Sequence, residues 1–338
     1  MKNDVSNTVL SSSVLRFRQV EEFLLKGIAT GRFPVGQRLP SIAWTASHLG
    51  FAHKTVHKAY SLLLERGVIE SVPRKGYYVR SAAPLLPLNI FLLLDNYSPY
   101  KQSLFQTIKQ DFGTDAELSV YFHFYDPVLF RRCIQENVRR YTTYIISPFY
   151  MEDLEEVLGV LPPERLYLLG RHPRSLQQEY HGVFQNFHQD MVRGLTSTGD
   201  RMWKYDRLVL YFRDSVTSPP VELLNGFVDF CRNMRMDHRI VRANERPRIH
   251  QGEAYIVIDD EDLIALVQMA HEKHYILGQD LGLISYNDTP IKSVISTSGI
   301  SVISTDFAQM GHDVVQMVKE GRFDHLVNPS CFIDRGSF

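Results

Sequence analysis

Between residues 88 and 320 short apolar runs and helical patterns take turns, twice over. "NIFLLL" is followed by helical spacing at about 99–112, and "LSVYFHF", "YTTYIIS" and "RLYLLG" come next with helical stretches between them. The second series reads "DRLVLYF", a helix at about 219–234, "EAYIVID", a helix at about 261–273, "LGLISYND", "ISVIST" and a last helix to Lys319. Strands that alternate with helices of this length need crossover connections, so the pattern predicts parallel βαβ units. Two series predict two lobes. At 338 residues the chain also exceeds one ordinary domain, and no short-period repeat or low-complexity tract interrupts it.

The first quarter has a different rhythm. Leu15, Val20, Phe23, Leu24 and Ile28 predict an amphipathic helix that stops at "GRFPVG". "LPS" puts Ser41 at the N-cap of a short second helix ending near Leu49 and Gly50. A third helix, about 53–66, turns Val56, Ala59, Leu62 and Leu63 inward and leaves His53, Lys54, His57, Lys58 and Ser61 on its open face. "VIESV", "PRKG" and "YYVRS" then read as a hairpin with Arg74 and Lys75 at its tip. Three helices and a basic hairpin are the layout of a winged helix-turn-helix. The Pro- and Ala-rich "SAAPLLPL" separates the two rhythms, so residues 1–80 are expected as a head, 81–88 as a linker and 89–338 as a body.

The net charge of −1 hides an asymmetry. Residues 1–80 hold 12 Lys+Arg against 5 Asp+Glu, a balance of +7, which leaves 25 against 33, or −8, from the whole-chain 37 and 38. A basic head on an acidic body points to a polyanion as partner of the head alone. Cys133, Cys231 and Cys331 are far apart and form no CxxC pair, which implies neither a disulfide framework nor a zinc cluster, and a reducing cytoplasm is the expected location. The start lacks the apolar stretch of a signal peptide, and the run from Leu85 to Leu94 is broken by Pro87 and Asn89, so no membrane segment is expected.

Residues 28–80 resemble the DNA-binding domain of gluconate-repressor-type (GntR) regulators, through "IATGRFPVGQRLPS", Ala46, Leu49-Gly50, "KTVHKAY", Leu64, Gly67, Ile69 and "RKGYYV". Residues 88–320 resemble the effector domain of lactose-repressor-type regulators, related to periplasmic sugar-binding proteins, most clearly in "YIVIDDEDLIALVQMAHEKHYILGQDLGLISYNDTP" and "ISVISTDFAQMG". The fold implied is α/β: a small N-terminal winged helix-turn-helix domain plus a two-lobed periplasmic-binding-protein-like (type I) domain with parallel sheets. Ala43, Ala52 and His53 stand where the first family usually carries Arg, Ser and Arg, so its operator sequence does not carry over. Leu223 stands where the second commonly has a sugar-gripping Arg.

For DNA, Ser41 and Thr55 can donate to phosphates, Lys54, Lys58, Arg74 and Lys75 can neutralise them, and His53 and His57 can reach base edges. Gly76 lets the wing backbone come close to the sugar-phosphate chain. A solvated basic helix is the plainer alternative; agreement across four elements favours DNA. Doubly wound sheets bind ligands beyond the carboxyl ends of their strands. There the candidates are Asn96, Tyr97, Asp126, Phe149, Arg171, Asp259 and Asn287, a set of amides, carboxylates and rings that suits sugar hydroxyls and CH faces. The resemblance places Asp259 and Asn287 where sugar hydroxyls are held. Their plainer alternatives are a helix cap and a turn.

"HEKH" at residues 271–274 lacks the zincin spacing and "DDED" at 259–262 lacks the calcium-loop glycine, so no metal site is expected. No phosphate loop, nucleophile elbow or catalytic set stands out; neither an enzyme nor a cofactor is expected. "GRHPRS" at 170–175 reads as an exposed loop, or as a grip on an anionic effector. The resemblances imply a dimeric repressor of a carbohydrate-utilisation operon, whose hold on a double-stranded operator changes when a monosaccharide binds between the lobes. The aromatic content suits a sugar with an apolar edge, such as a deoxyhexose. Two other bodies fit less of the sequence: an aminotransferase-type enzyme and a dimerisation module without ligand.

Overall fold

In the computed structural model, which describes residues 16–17, 19–21, 23–28, 30–80, 88–172, 180–213, 219–242 and 245–338, a small head precedes a two-lobed body. Residues 16–28 are helical where described (α1), followed by α2 (Ile42–Leu49), α3 (His53–Glu65) and a hairpin of β1 (Ile69–Val72) and β2 (Gly76–Val79). Val20, Leu24, Ala46, Val56, Ala59, Leu63 and Val79 close one core among these elements. Ser41 caps α2 by accepting from the Trp44 N–H at 3.1 Å, whereas Ala52 leaves α3 without a side-chain cap. The α2 end turns on Gly50, at φ +70°, where a side chain would be strained. Residues 81–87 of the expected linker lie outside the described residues, and Leu88 opens the body.

The first lobe holds β3 (Leu88–Leu94), β4 (Ala116–Phe122), β5 (Thr143–Ile146), β6 (Leu166–Gly170), β7 (Gly182–Phe184) and β13 (His325–Val327), all parallel, in the order β13-β7-β6-β5-β3-β4. β3 has β4 on one side and β5 on the other, so the winding reverses between β3 and β5. The helices α4 (Gln102–Phe112), α5 (Pro127–Asn137) and α6 (Leu154–Gly159) connect these strands.

The second lobe repeats the plan with β8 (Arg207–Tyr211), β9 (His238–Val241), β10 (Glu253–Val257), β11 (Gly282–Tyr286), β12 (Ser301–Thr305) and an antiparallel edge, β14 (Ser330–Ile333). Its helices are α7 (Phe187–Thr196), α8 (Val221–Met234) and α9 (Asp260–Glu272), and its winding reverses between β8 and β10. Apolar strands such as "LNIFLLL" are buried because both faces of each sheet are covered by helices or turns. The last helix, α10 (Phe307–Glu320), lies on the first lobe against α4, although it follows a strand of the second.

Among the described residues the chain therefore passes between the lobes three times, at residues 185–186, at Asp306 and at 328–329. These passages are tied together. Gln185 Nε2 donates to Thr305 Oγ1 at 2.6 Å, the Asn328 N–H to the Phe184 carbonyl at 2.7 Å, and Asn328 Nδ2 to the Asp306 carbonyl at 3.0 Å. These short hydrogen-bonded crossings, here called the hinge, hold the two lobes in register.

Candidate functional site

A cleft of about 320 Å³ opens between the lobes above the hinge. It lies where both sheets reverse their winding, at the carboxyl ends of β3 and β5 on one side and of β10 and β11 on the other. Of the expected residues, Asn96, Phe149, Arg171, Asp259 and Asn287 line it.

Two expected residues do not. After β4 the chain takes two consecutive left-handed conformations, Phe124 at φ +48° and Tyr125 at φ +59°. The turn brings Tyr125 into the cleft and leaves Asp126 outside, where its carboxylate caps α5 by accepting from the Val128 and Leu129 N–H groups at 2.8 and 3.2 Å. Tyr97 is 57% exposed and its ring packs edge-on against Phe105 and Phe122, away from the cleft. Capping is thus the role of Asp126, while Asp259, at the N-cap of α9, makes no side-chain cap bond.

The first lobe's wall is a network anchored on Asp95. Lys101 forms an ion pair with it, Tyr125 Oη donates to its Oδ2 at 2.6 Å, and the Asn96 N–H donates to its Oδ1 at 2.9 Å. Burial alone would raise the Asp95 carboxyl; the ammonium and hydrogen bonds outweigh it and hold the group below its ordinary value. Behind this wall His123 is fully buried, with its ring stacked on Phe149 at 4.9 Å. Its Nδ1 accepts from the Tyr125 N–H at 3.2 Å, so Nε2 carries the proton donated to the Ser147 carbonyl at 2.9 Å. Burial holds the imidazole neutral, with its pKa lowered to about 4. One histidine therefore positions three residues of the cleft: Tyr125, Ser147 and Phe149.

The second lobe's wall is organised by Lys292, which is 1% exposed. Its ammonium donates to the Tyr286 and Asn287 carbonyls at 3.1 and 2.7 Å and pairs with Asp260 at 2.9 Å. These contacts support Asn287 in a left-handed conformation, φ +59°, tolerated better by asparagine than by most side chains. The Oδ1 atoms of Asn96 and Asn287, one from each lobe, are both buried without a hydrogen-bond partner. Buried acceptors are nearly always satisfied, so an unpaired pair facing one cleft marks where donors are missing. Asp259 is pushed above the usual carboxylate range by burial and by Asp262, Glu261 and Asp260 nearby. Arg171, from the first lobe, reaches Glu222 of the second at 3.3 Å and so spans the opening. Leu223 also lines the cleft and is 1% exposed, which makes its position an apolar wall.

Asp95, Lys101, Tyr125 and Lys292 were not among the expected residues. The first and third sit at the named strand ends, beside residues that were chosen instead; nothing in the sequence marks Lys292 as buried.

In the head, Ser41, His53, Lys54, His57, Arg74 and Lys75 are exposed, with Thr55 half-buried. Arg74 takes φ +64° and Gly76 φ +108°, which tightens the wing; a Cβ at Gly76 would sit 3.1 Å from the Arg38 guanidinium. Arg38, not among the expected residues, is thereby placed at the wing, where residues 37–39 pair with β2 through hydrogen bonds of 2.8 and 2.9 Å. Lys58 is not free on the open face: it pairs with Glu164 of the body at 3.0 Å, and Glu65 pairs with Arg165. Lys58 and Glu65 are two helical turns apart, so one side of α3 rests on the body while His53, Lys54 and His57 stay open.

Residues 17–79 match the family of bacterial regulatory proteins, gntR family, and residues 204–337 match the periplasmic binding protein-like domain. The chain is 38% identical over 72 residues to the uncharacterized HTH-type transcriptional regulator YdcR of Escherichia coli, covering 21% of this chain and 15% of that protein. The chain thus spans only a small part of that relative's length. The body superposes on a periplasmic binding protein/LacI transcriptional regulator from Alkaliphilus metalliredigens complexed with D-xylulofuranose, with a TM-score of 0.59, 11% identity, and coverage of 74% of this chain and 98% of that one. It superposes equally on the dimeric Lac repressor, with a TM-score of 0.60, 14% identity and coverage of 74% and 98%. These likenesses show the fold. Among the described residues no helix is long and apolar enough to cross a membrane.

Proposed function

Because the chain joins a gntR-family DNA-binding domain to a periplasmic-binding-protein-like domain, we propose that it is a transcriptional regulator whose body closes on a monosaccharide and thereby alters how a dimer grips its operator. The observation that carries this reading is the inter-lobe cleft with an unpaired amide oxygen from each lobe, Asn96 Oδ1 and Asn287 Oδ1. A ligand that supplies donors to both satisfies them only when the lobes are close, so it has different affinities for open and closed bodies. That difference is what moves a conformational equilibrium.

The rings of Tyr100, Tyr125, Phe149 and Phe187 and the Leu223 wall offer apolar surface for C–H faces, while Asp259 and the two amides offer acceptors for hydroxyls. A fold neighbour bound to D-xylulofuranose and another described as dimeric support the sugar and the dimer. In the head, His53, Lys54, His57, Arg74, Lys75 and the backbone at Gly76 meet the duplex, with Ser41, Thr55 and Arg38 on phosphates. Repression of a carbohydrate-utilisation operon, relieved by the sugar, is the proposed sign.

Thermal unfolding of the purified protein against a monosaccharide panel tests this, since a ligand of the folded state raises the midpoint. Hits are carried to an anisotropy assay on duplex DNA. A stabilising sugar that changes DNA affinity is expected; stabilisation without any change in DNA affinity overturns the coupling.

A further inference from the structure

We infer that the cleft takes an uncharged sugar rather than a phosphorylated or acidic one, with Asp259 as the residue that turns the anionic forms away; this rests on the reading of the cleft as a sugar site. Among the described residues, each cation that lines the cleft is paired with a carboxylate. Lys101 is held by Asp95. Lys292 has three ammonium donors, and the Tyr286 carbonyl, the Asn287 carbonyl and the Asp260 carboxylate take them. Arg171 faces Glu222. Among the described lining residues the charge left over is the Asp259 carboxylate, which has no hydrogen-bond partner there and lies at the head of the turn Asp260, Glu261 and Asp262, where Lys292 pairs with Asp260 and Arg213 with Asp262.

What a ligand meets is therefore two buried amide oxygens and a carboxylate, all acceptors, beside the unpaired hydroxyls of Ser98 and Tyr286, which can donate or accept. Sugar hydroxyls answer all of these, by donating to the three acceptors and by pairing with the two hydroxyls in either direction. A phosphate or carboxylate group can accept from the two hydroxyls but answers none of the three acceptors, because it has only acceptor oxygens at neutral pH and sets its charge against Asp259. To bind, it would have to draw Lys101 or Lys292 out of pairs that also hold the walls in place, or rely on Arg171 alone. Like charges brought together in a desolvated site are costly, and specificity of this kind comes from the repulsive element as much as from the attractive one.

The test uses full-length protein and matched pairs, each neutral monosaccharide beside its own phosphate and its own uronic or aldonic acid. Binding is measured by calorimetry after a thermal screen. The expected result is a neutral sugar that binds at least tenfold more tightly than its anionic partners. In Asp259→Asn, which loses no hydrogen bond and keeps the shape, the neutral sugar weakens and the preference over its phosphate shrinks at least fivefold. An anionic sugar as the tighter ligand overturns the inference and leaves the sugar site standing, with Arg171→Gln expected to abolish that binding. An unchanged preference in Asp259→Asn overturns the role given to Asp259. A panel in which no sugar of either kind binds defeats the sugar site itself.

Discussion

The head keeps most of its candidate side chains outside its core, whereas the body builds its candidate site from groups that also hold the fold together. Lys54 and Lys75 are exposed; Phe149 and Lys292 are 8% and 1% exposed. The partners proposed for the two regions would account for the difference. A duplex is a large external polyanion that a protruding helix and wing can reach, but a sugar must be surrounded, so its contacts come from the interior ends of strands. Function and stability should then be separable in the head and entangled in the body.

The largest effect is expected from Phe149→Ala. The ring packs against His123, Tyr125 and Phe130, so its removal should cost about 3–5 kcal/mol in urea unfolding together with ligand binding. Unchanged stability would break the comparison. Lys292→Met follows, at about 2–3 kcal/mol, because it leaves the carbonyls of Tyr286 and Asn287 without their donor.

A third test is pH. Asp190, on α7 beneath the hinge, accepts from Ser330 Oγ at 2.7 Å, and burial raises it from 3.8 to about 6. The folded state thus holds a proton that the unfolded state releases, and stability declines as pH rises from about 4 through 6. Asp190→Asn should recover up to about 3 kcal/mol at neutral pH, a gain that vanishes below pH 4. His123 has the opposite sign: its lowered value means that stability is complete above about 6.5 and is lost as pH falls towards 4. Thermal midpoints across that range read both.

In the head, Lys54→Ala and Lys75→Ala should each reduce the log-log salt slope of duplex binding by about one and leave stability within about 0.5 kcal/mol. A stability loss as large as that of Lys292→Met would erase the contrast between the two regions. The smallest effect belongs to Glu164→Gln. It releases Lys58 from the body, and affinity for a mixed-sequence duplex at low salt should rise by up to about fivefold, the scale of a partly exposed ion pair. A fall in affinity would mean that the pair orients the head for DNA instead of holding it back.

Much of this protein was legible in its residues because the relevant physics is local. Alternating apolar runs and helical spacing specify parallel strands with crossovers, Ser41 specifies a helix start, and the contiguous run from Arg38 to Val79 brings a helix pair and wing together within a short length of chain. Strand ends named from the same rhythm include Asn96, Phe149, Arg171, Asp259 and Asn287, which line the cleft. Tertiary structure alone decided which neighbour at each end turns inward. The left-handed turn at Phe124 and Tyr125 exchanged Asp126 for Tyr125, and Tyr97 went to an outer aromatic patch while Asp95 went to the wall. Likewise only the fold joins Lys292 to Asp260, 32 positions earlier, and Lys58 to Glu164, more than a hundred later. The reason is physical: local propensities act through a few bonds and set the elements, but burial, charge pairing and the direction of a side chain depend on what the crossing chain brings alongside.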